Sequence, residues 1–192
     1  MRQVACDEAG LSAAAAMLNG GGVAVIPTDT VYGLAARPDC SVAVERLYTI
    51  KGREEGKPIA LLAADMAAAW RLLGGGVSPE ATAIAERHWP GALTLVLPVC
   101  GEERFEGVRV PDHVWTRRLI AVCGGVLRVT SANLSGRRPA ADVPAALAEV
   151  GLSADIVVDG GVSPGGVAST VLKIDAAGNV TVLRRGPVAV PE

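Results

Sequence analysis

The stretch Ile26-Pro27-Thr28-Asp29-Thr30-Val31-Tyr32-Gly33-Leu34 constrains this chain more than any other. The apolar run over 23–26 that leads into it reads as a buried strand. That strand has to stop at Pro27, which carries no N–H for a sheet ladder. Short hydroxyl and carboxylate side chains follow, and Gly33 is expected to close the turn. Open α/β sheets hold ligands where a buried strand ends in small polar groups. An ordinary polar turn would carry the same letters, so the stretch acquires meaning only beside others of its kind. One is Val129-Thr130-Ser131-Ala132-Asn133-Leu134-Ser135-Gly136, again a buried strand running into hydroxyls, an amide and a glycine. It could be only an Asx or Ser/Thr turn. If the two strands are parallel neighbours, both polar tips lie at one edge of the sheet. They then form a shared site, with hydroxyls able to bond phosphate oxygens, ribose or an amino acid.

The rest of the chain alternates between the two periodicities. Helices are expected over 11–18, 41–50, 65–73, 78–88, 115–122 and 143–150. Asp65 is expected to cap the third, and Ser78-Pro79-Glu80 to start the fourth. Strands are expected over 58–62, 93–97, 108–110, 126–129 and 156–158. Residues 170–174 and 180–183 flank Asp175-Ala176-Ala177-Gly178-Asn179 in the pattern of a β-hairpin. Half the residues are apolar but only 3% are aromatic, so the core is built from Ala, Val and Leu, which suits close-packed layers. The expectation is one α/β domain over 1–192, a twisted open mixed sheet with flanking helices.

Composition excludes several classes. A net charge of −2 argues against a surface that coats nucleic acid, while leaving room for a local cationic pocket. Cys6, Cys40, Cys100 and Cys123 form no C-x-x-C pair. With only two His in the chain they point away from zinc, and toward core residues or free thiols in a reducing compartment. No apolar signal core follows Arg2, and the apolar run over 13–18 is too short to span a bilayer. A cytoplasmic protein with no membrane partner is expected.

Further segments carry charge or hydroxyls. Lys51-Gly52-Arg53, with Lys57-Pro58 after it, sits at an expected helix end. Cations favour that position in any case. The sharper reading is a phosphate clamp, with Gly52 letting the backbone approach between two cations. Trp89-Pro90-Gly91-Ala92-Leu93-Thr94-Leu95 reads as a turn feeding a core strand. In Val108-Arg109-Val110-Pro111, strand alternation turns the valines one way and Arg109 the other, toward solvent or into a cleft where it could grip a carboxylate. Asp159-Gly160-Gly161 precedes Ala168-Ser169-Thr170-Val171, and Leu183-Arg184-Arg185-Gly186 comes last.

In this order, from about residue 21 to 187, the segments resemble those of the YrdC-like threonylcarbamoyl-AMP synthase family in its short, single-domain form, with a motif-bearing core over about 11–187. The resemblance implies that family's fold with a positively charged cavity. It implies a nucleotidyltransferase that makes threonylcarbamoyl-AMP and pyrophosphate from L-threonine, bicarbonate and ATP, for modification of a tRNA adenosine. By resemblance Lys51 and Arg53 are catalytic, and Lys51, Arg53, Ser131, Asn133 and Arg184 bind ATP. Thr28, Arg109 and Ser169 bind threonine, with Arg109 on the carboxylate. Mg2+ would accompany ATP, and no resident metal or organic cofactor is implied. The implied partners are a downstream threonylcarbamoyl transferase complex and, weakly, RNA. His88 and His113 have no partners by spacing, so catalysis would rest on positioning and charge stabilisation rather than on a nucleophile.

The chain departs from the family pattern at two places. Leu62 stands where longer members carry a His in the threonine pocket, and Arg137-Arg138-Pro139 replaces Ser or Thr expected near the nucleotide. Two alternatives stay open. One is a noncatalytic RNA-binding paralogue of the same fold. The other is a carbamoyl-transferring relative of hydrogenase maturation proteins, whose zinc-finger segments have no counterpart here.

Overall fold

The computed structural model describes residues 1–54, 56–150 and 153–189; positions 55, 151–152 and 190–192 of the expected 1–192 domain lie outside them. The described elements are β1 (Arg2–Ala5), α1 (Glu8–Asn19), β2 (Ala24–Ile26), β3 (Gly33–Ala36), α2 (Ser41–Lys51), β4 (Leu61–Ala63), α3 (Met66–Leu72) and α4 (Pro79–His88). They continue with β5 (Leu93–Pro98), β6 (Phe105–Arg109), α5 (Val114–Val122), β7 (Val126–Ser131), α6 (Val143–Val150), β8 (Ile156–Asp159), β9 (Thr170–Ile174) and β10 (Val180–Arg184).

Local chemistry sets the helix starts. Asp7, Asp65 and Ser78 each accept a backbone N–H from the first turn that follows, and Pro79 occupies the first helical position of α4. His113 caps α5 through a ring nitrogen. Gly52 ends α2 in the left-handed conformation (φ 56°), so the fold requires this glycine as a helix cap.

The strands form one mixed sheet in the order β1-β8-β2-β3-β7-β4-β6-β5-β9-β10. The expected hairpin forms, β9 against β10. The sequence pattern does not announce β1 or β3. Instead of closing a turn, Gly33 opens β3, which pairs antiparallel with both β2 and β7. The polar-tipped strands β2 and β7 therefore run parallel to each other, but β3 lies between them and they are not neighbours.

Cross-strand partners share a face of a sheet. Along Ala36, Arg128, Leu61, Val108 and Leu95, each paired with the next, one face can be followed from β3 to β5. Helices α2 and α6 cover its β2–β3–β8 part with Ala43, Leu47, Val143 and Ala146. Helices α3 and α4 cover its β5–β6–β9 part with Ala68, Ala69, Ala81 and Ala85. On the opposite face α1 and α5 pack Ala14, Leu18, Leu119 and Ile120 over β8, β2, β3 and β7, reaching Leu62 on β4. Among the described residues no helix continues that cover over β6, β5 and β9.

Candidate functional site

The face that the helices leave open holds a cavity of about 410 Å3. Its floor is made by alternate residues: Val129 and Ser131 of β7, Leu62 of β4, Gly107 and Arg109 of β6, Thr94 and Val96 of β5, and Val171 of β9. Thr28 and Thr30 form one wall, and Ala168, Ser169 and Arg184 another. The site thus lies across the face of the sheet. The edge location expected from strand tips does not hold, because β3 separates the tips and β4, β6 and β5 extend the floor beyond them.

Arg53, Arg109 and Arg184 all line this cavity, and among the described residues no carboxylate does. In a chain whose net charge is −2, that segregation gives the cavity a local excess of positive charge. Burial lowers the pKa of Arg184, and the charges of Arg109 and Arg53 push it the same way.

Arg109 is buried, and Val108 and Val110 point into the helix-covered core, as strand alternation requires. Its guanidinium donates from Nε to the Gly91 carbonyl (2.8 Å), from Nη1 to Thr30 Oγ1 (2.9 Å) and from Nη2 to Asp29 Oδ1 (2.6 Å). Burial works against its charge and Asp29 works for it. Three of the five guanidinium N–H groups are thereby engaged. Thr28 closes its own loop: its hydroxyl donates to the Val31 carbonyl (2.6 Å) and accepts the Thr30 and Val31 N–H groups. The glycine-rich segment after β8 packs directly on this loop. A Cβ on Gly165 would lie 2.7 Å from the Asp29 carbonyl oxygen. On the far wall, Ser169 Oγ shares a hydrogen bond with Thr94 Oγ1 (2.8 Å) and accepts from Arg184 Nη2 (3.1 Å). Arg184 therefore holds Ser169 through both its carbonyl and its hydroxyl.

A second hollow of about 240 Å3 adjoins the first, sharing Arg53 and Ser131 and adding Lys51, Gly52, Glu54, Lys57, Asn133, Ser135 and Gly136. Lys51 is buried under the turn that follows β7. Its ammonium donates to the carbonyls of Ser131 (2.5 Å) and Asn133 (2.6 Å), with Ser131 Oγ at 3.4 Å. Burial, and next the charge of Arg53, push its pKa down to about 8. Asn133 donates from Nδ2 to the carbonyls of Leu134 and Arg137, while its buried Oδ1 has no partner. The structure thus brings Thr28, Arg53, Arg109, Ser131, Ser169 and Arg184 to one cavity and Lys51 and Asn133 to the hollow beside it.

Sequence reasoning missed Asp29, Thr30 and Thr94, which hold Arg109 and Ser169 in place; the first two stand inside the motif that opened the argument. Leu62, at the position expected to hold a His in longer relatives, is the β-ladder partner of Arg109 and lines the cavity. Among the described residues, no group of three or more His, Cys, Asp or Glu side chains is placed to hold a metal, and no helix is long and apolar enough to cross a membrane.

The family model described as "Telomere recombination" (Sua5_yciO_yrdC) matches residues 16–186. A Rattus norvegicus protein named threonylcarbamoyl-AMP synthase is 34% identical over 192 residues, covering 92% of this chain and 66% of the rat protein. A Bacillus subtilis protein of the same name is also 34% identical, with 95% of this chain and 55% of the relative covered. The crystal structure of P. abyssi Sua5 complexed with L-threonine superposes with a TM-score of 0.86 at 30% identity, over 96% of this chain and 56% of that one. The chain thus spans just under two thirds of the rat protein and little more than half of the other two.

Proposed function

The chain belongs to the Sua5–YciO–YrdC family, and from that premise and its cavity we propose that it forms threonylcarbamoyl-AMP and pyrophosphate from L-threonine, bicarbonate and ATP. The observation that carries this reading is a cavity lined by three arginines and no carboxylate among the described residues, within the size range of small-molecule sites and adjoined by a second hollow that holds Lys51. The names of the rat and B. subtilis relatives and the threonine bound to P. abyssi Sua5 support it.

The residues fit the chemistry in an ordered way. The threonine carboxylate would take the two N–H groups of Arg109 that Gly91, Thr30 and Asp29 leave free. Thr28 would shape the loop around the substrate, and Ser169 would face it from the opposite wall. The amine condenses with bicarbonate, releasing water and giving a carbamate. A carbamate oxygen then attacks the α-phosphorus of ATP, and the bond to pyrophosphate breaks. This sequence needs no protein nucleophile. Arg53, Ser131 and Arg184 would contact phosphate oxygens, Lys51 would add charge from beneath the Ser131–Asn133 turn, and Asn133 would complete that wall. Catalysis would then be positioning and preorganised positive charge. A Mg2+ would be held by the ATP phosphates on which it arrives, with the cavity hydroxyls as further oxygen ligands, and would neutralise phosphate charge. The product would pass to a transferase that acts on tRNA.

The test is pyrophosphate release from ATP by the purified protein, with threonine and bicarbonate omitted in turn. Release that requires both supports the reading. Release indifferent to threonine, or no release, overturns it, and wild-type rates in Lys51→Ala and Arg53→Ala with unchanged circular dichroism overturn the phosphate-clamp roles of those two residues.

A further inference from the structure

The wall between the two cavities is the segment 57–60: Pro58, Ile59 and Ala60 line the larger one and Lys57 the smaller. It precedes β4 and belongs to no helix or strand, so its carbonyls need partners from elsewhere. Arg53, which lines both cavities, folds back on it, donating from Nε to the Lys57 carbonyl (2.8 Å) and from Nη2 to the Pro58 carbonyl (3.1 Å). The next carbonyl, of Ile59, is held by a different arginine. Arg128 Nη1 donates to it at 2.6 Å. Arg128 belongs to the helix-covered side of the sheet, the ladder partner of Leu61, and does not line either cavity.

Arg128 is gripped in a two-pronged pair by Glu106, Nη1 to Oε1 at 2.7 Å and Nη2 to Oε2 at 2.8 Å. Glu106 is 5% exposed, and it also accepts the Gly107 N–H (3.2 Å) and Arg104 Nη1 (3.1 Å). On a face otherwise packed with Leu95, Leu97 and Val108, an ion pair is not the obvious filling. Desolvation offsets much of the attraction within such a pair, and apolar residues of similar volume often do as well. What an apolar pair cannot supply is a fixed donor for the Ile59 carbonyl.

We propose that Glu106 and Arg128 are positioning residues for Arg53. From the far side of the sheet they fix the Ile59 carbonyl, and so the Lys57 and Pro58 carbonyls that hold the Arg53 guanidinium at the junction of the two cavities. For the nature of the anion that Arg53 meets, the inference rests on the ATP reading above.

The experiment compares the full chain with Glu106→Gln, Arg128→Lys and the double variant Glu106→Leu/Arg128→Leu. Backbone amide exchange over 56–61 is read without ligand, and KM and kcat for ATP are read with saturating threonine. The double variant restores apolar packing but lacks the donor. It is expected to melt cooperatively, exchange about tenfold faster over 56–61 and show an ATP KM raised about tenfold with a lowered kcat, the threonine KM being little changed. Arg128→Lys, whose ammonium can still reach Glu106 and the Ile59 carbonyl, is expected to recover most of both effects. Wild-type exchange and ATP KM in a folded double variant would overturn the proposal. If the double variant does not fold, Glu106→Gln decides by the same two readouts. A wild-type protein that neither binds nor turns over ATP overturns the functional reading, and the exchange comparison alone then decides whether the pair positions the segment.

Discussion

Strands β8, β2 and β3 are covered by helices on both faces, whereas β6, β5 and β9 are covered on one. In the doubly covered region Ala24, Val25, Ile26, Leu34, Ala35, Ala36, Val157 and Val158 are all without solvent exposure, and the side chains offer no chemistry. In the singly covered region the same backbone alternates. Leu95 and Val108 go to the helices, while Thr94 and Arg109 go to the cavity. The doubly covered strands serve the site at their ends, through the β2–β3 loop from Thr28 to Tyr32 and through Gly33 at the start of β3. The comparison teaches that the helix layer decides where chemistry is located. Where the layer stops, every second residue becomes available to a ligand.

The largest effect is expected where the open face is most deeply buried. Arg109→Ala leaves Asp29 without its partner (the side chains are 7% and 11% exposed). It is expected to cost about 3–5 kcal/mol of stability in urea unfolding. It is also expected to cost about a hundredfold to a thousandfold in kcat/KM for threonine. A threonine dependence that stays unchanged would remove Arg109 from the amino-acid site. In the doubly covered region, Leu34→Ala is expected to cost about 2–5 kcal/mol by the same unfolding measurement. Here KM for ATP and threonine should stay at wild-type values, and a kinetic change would break the contrast between the regions.

Lys51 sits at the seam and responds to pH in two opposed ways. Its folded pKa of about 8 lies below its ordinary value near 10.5, so between these pH values the unfolded chain binds more protons than the folded one. Stability contributed by this group therefore rises with pH across that window, by at most about 3 kcal/mol, while the ammonium charge available to phosphate is lost. Urea unfolding of wild type against Lys51→Met at pH 7.5 and 9.5, at buffer values about those numbers, should show the difference moving in favour of wild type as activity falls. A pH-independent difference would show that Lys51 is not desolvated. The smallest effect is expected on β10, where every residue is exposed. Val182→Thr should change stability by less than about 0.5 kcal/mol and leave both KM values alone. A raised KM would extend the functional surface beyond Leu183 and Arg184 to the rest of that strand.

Much of this was legible from residues in a row. Caps, helix ends, the β9–β10 hairpin and the outward turn of Arg109 follow from local rules, as does the clustering of hydroxyls after β2 and β7. Strand β3 was not legible, because Gly-Leu-Ala-Ala has little intrinsic preference for a strand. Its two antiparallel partners impose the conformation. Strand β1 is short, largely exposed and lies at a sheet edge, so it has no buried alternation to read. The donors of Lys51 were equally hidden. Their acceptors lie 80 and 82 residues downstream, and only the sheet brings them together. The same holds for Arg128 and the Ile59 carbonyl, 69 residues apart.

Strand β8 lies between β1 and β2, pairing in parallel with both, although more than a hundred residues separate it from either in the chain. On a ribosome, the first two strands would therefore emerge long before the strand that joins them. Closing so large a loop is entropically costly, and topologies rich in such distant pairings fold slowly. A nascent chain stalled before residue 156 leaves both flanks of the missing strand with unpaired backbone groups, an edge that recruits other chains. The arginines at 53, 109 and 184 can all meet only once β9 has docked against β5 and brought β10 with it, and both strands follow β8 in the chain. Anion binding is thereby a signal of completed folding, and a chaperone that shields the early strands would raise the yield of active protein more than its rate of turnover.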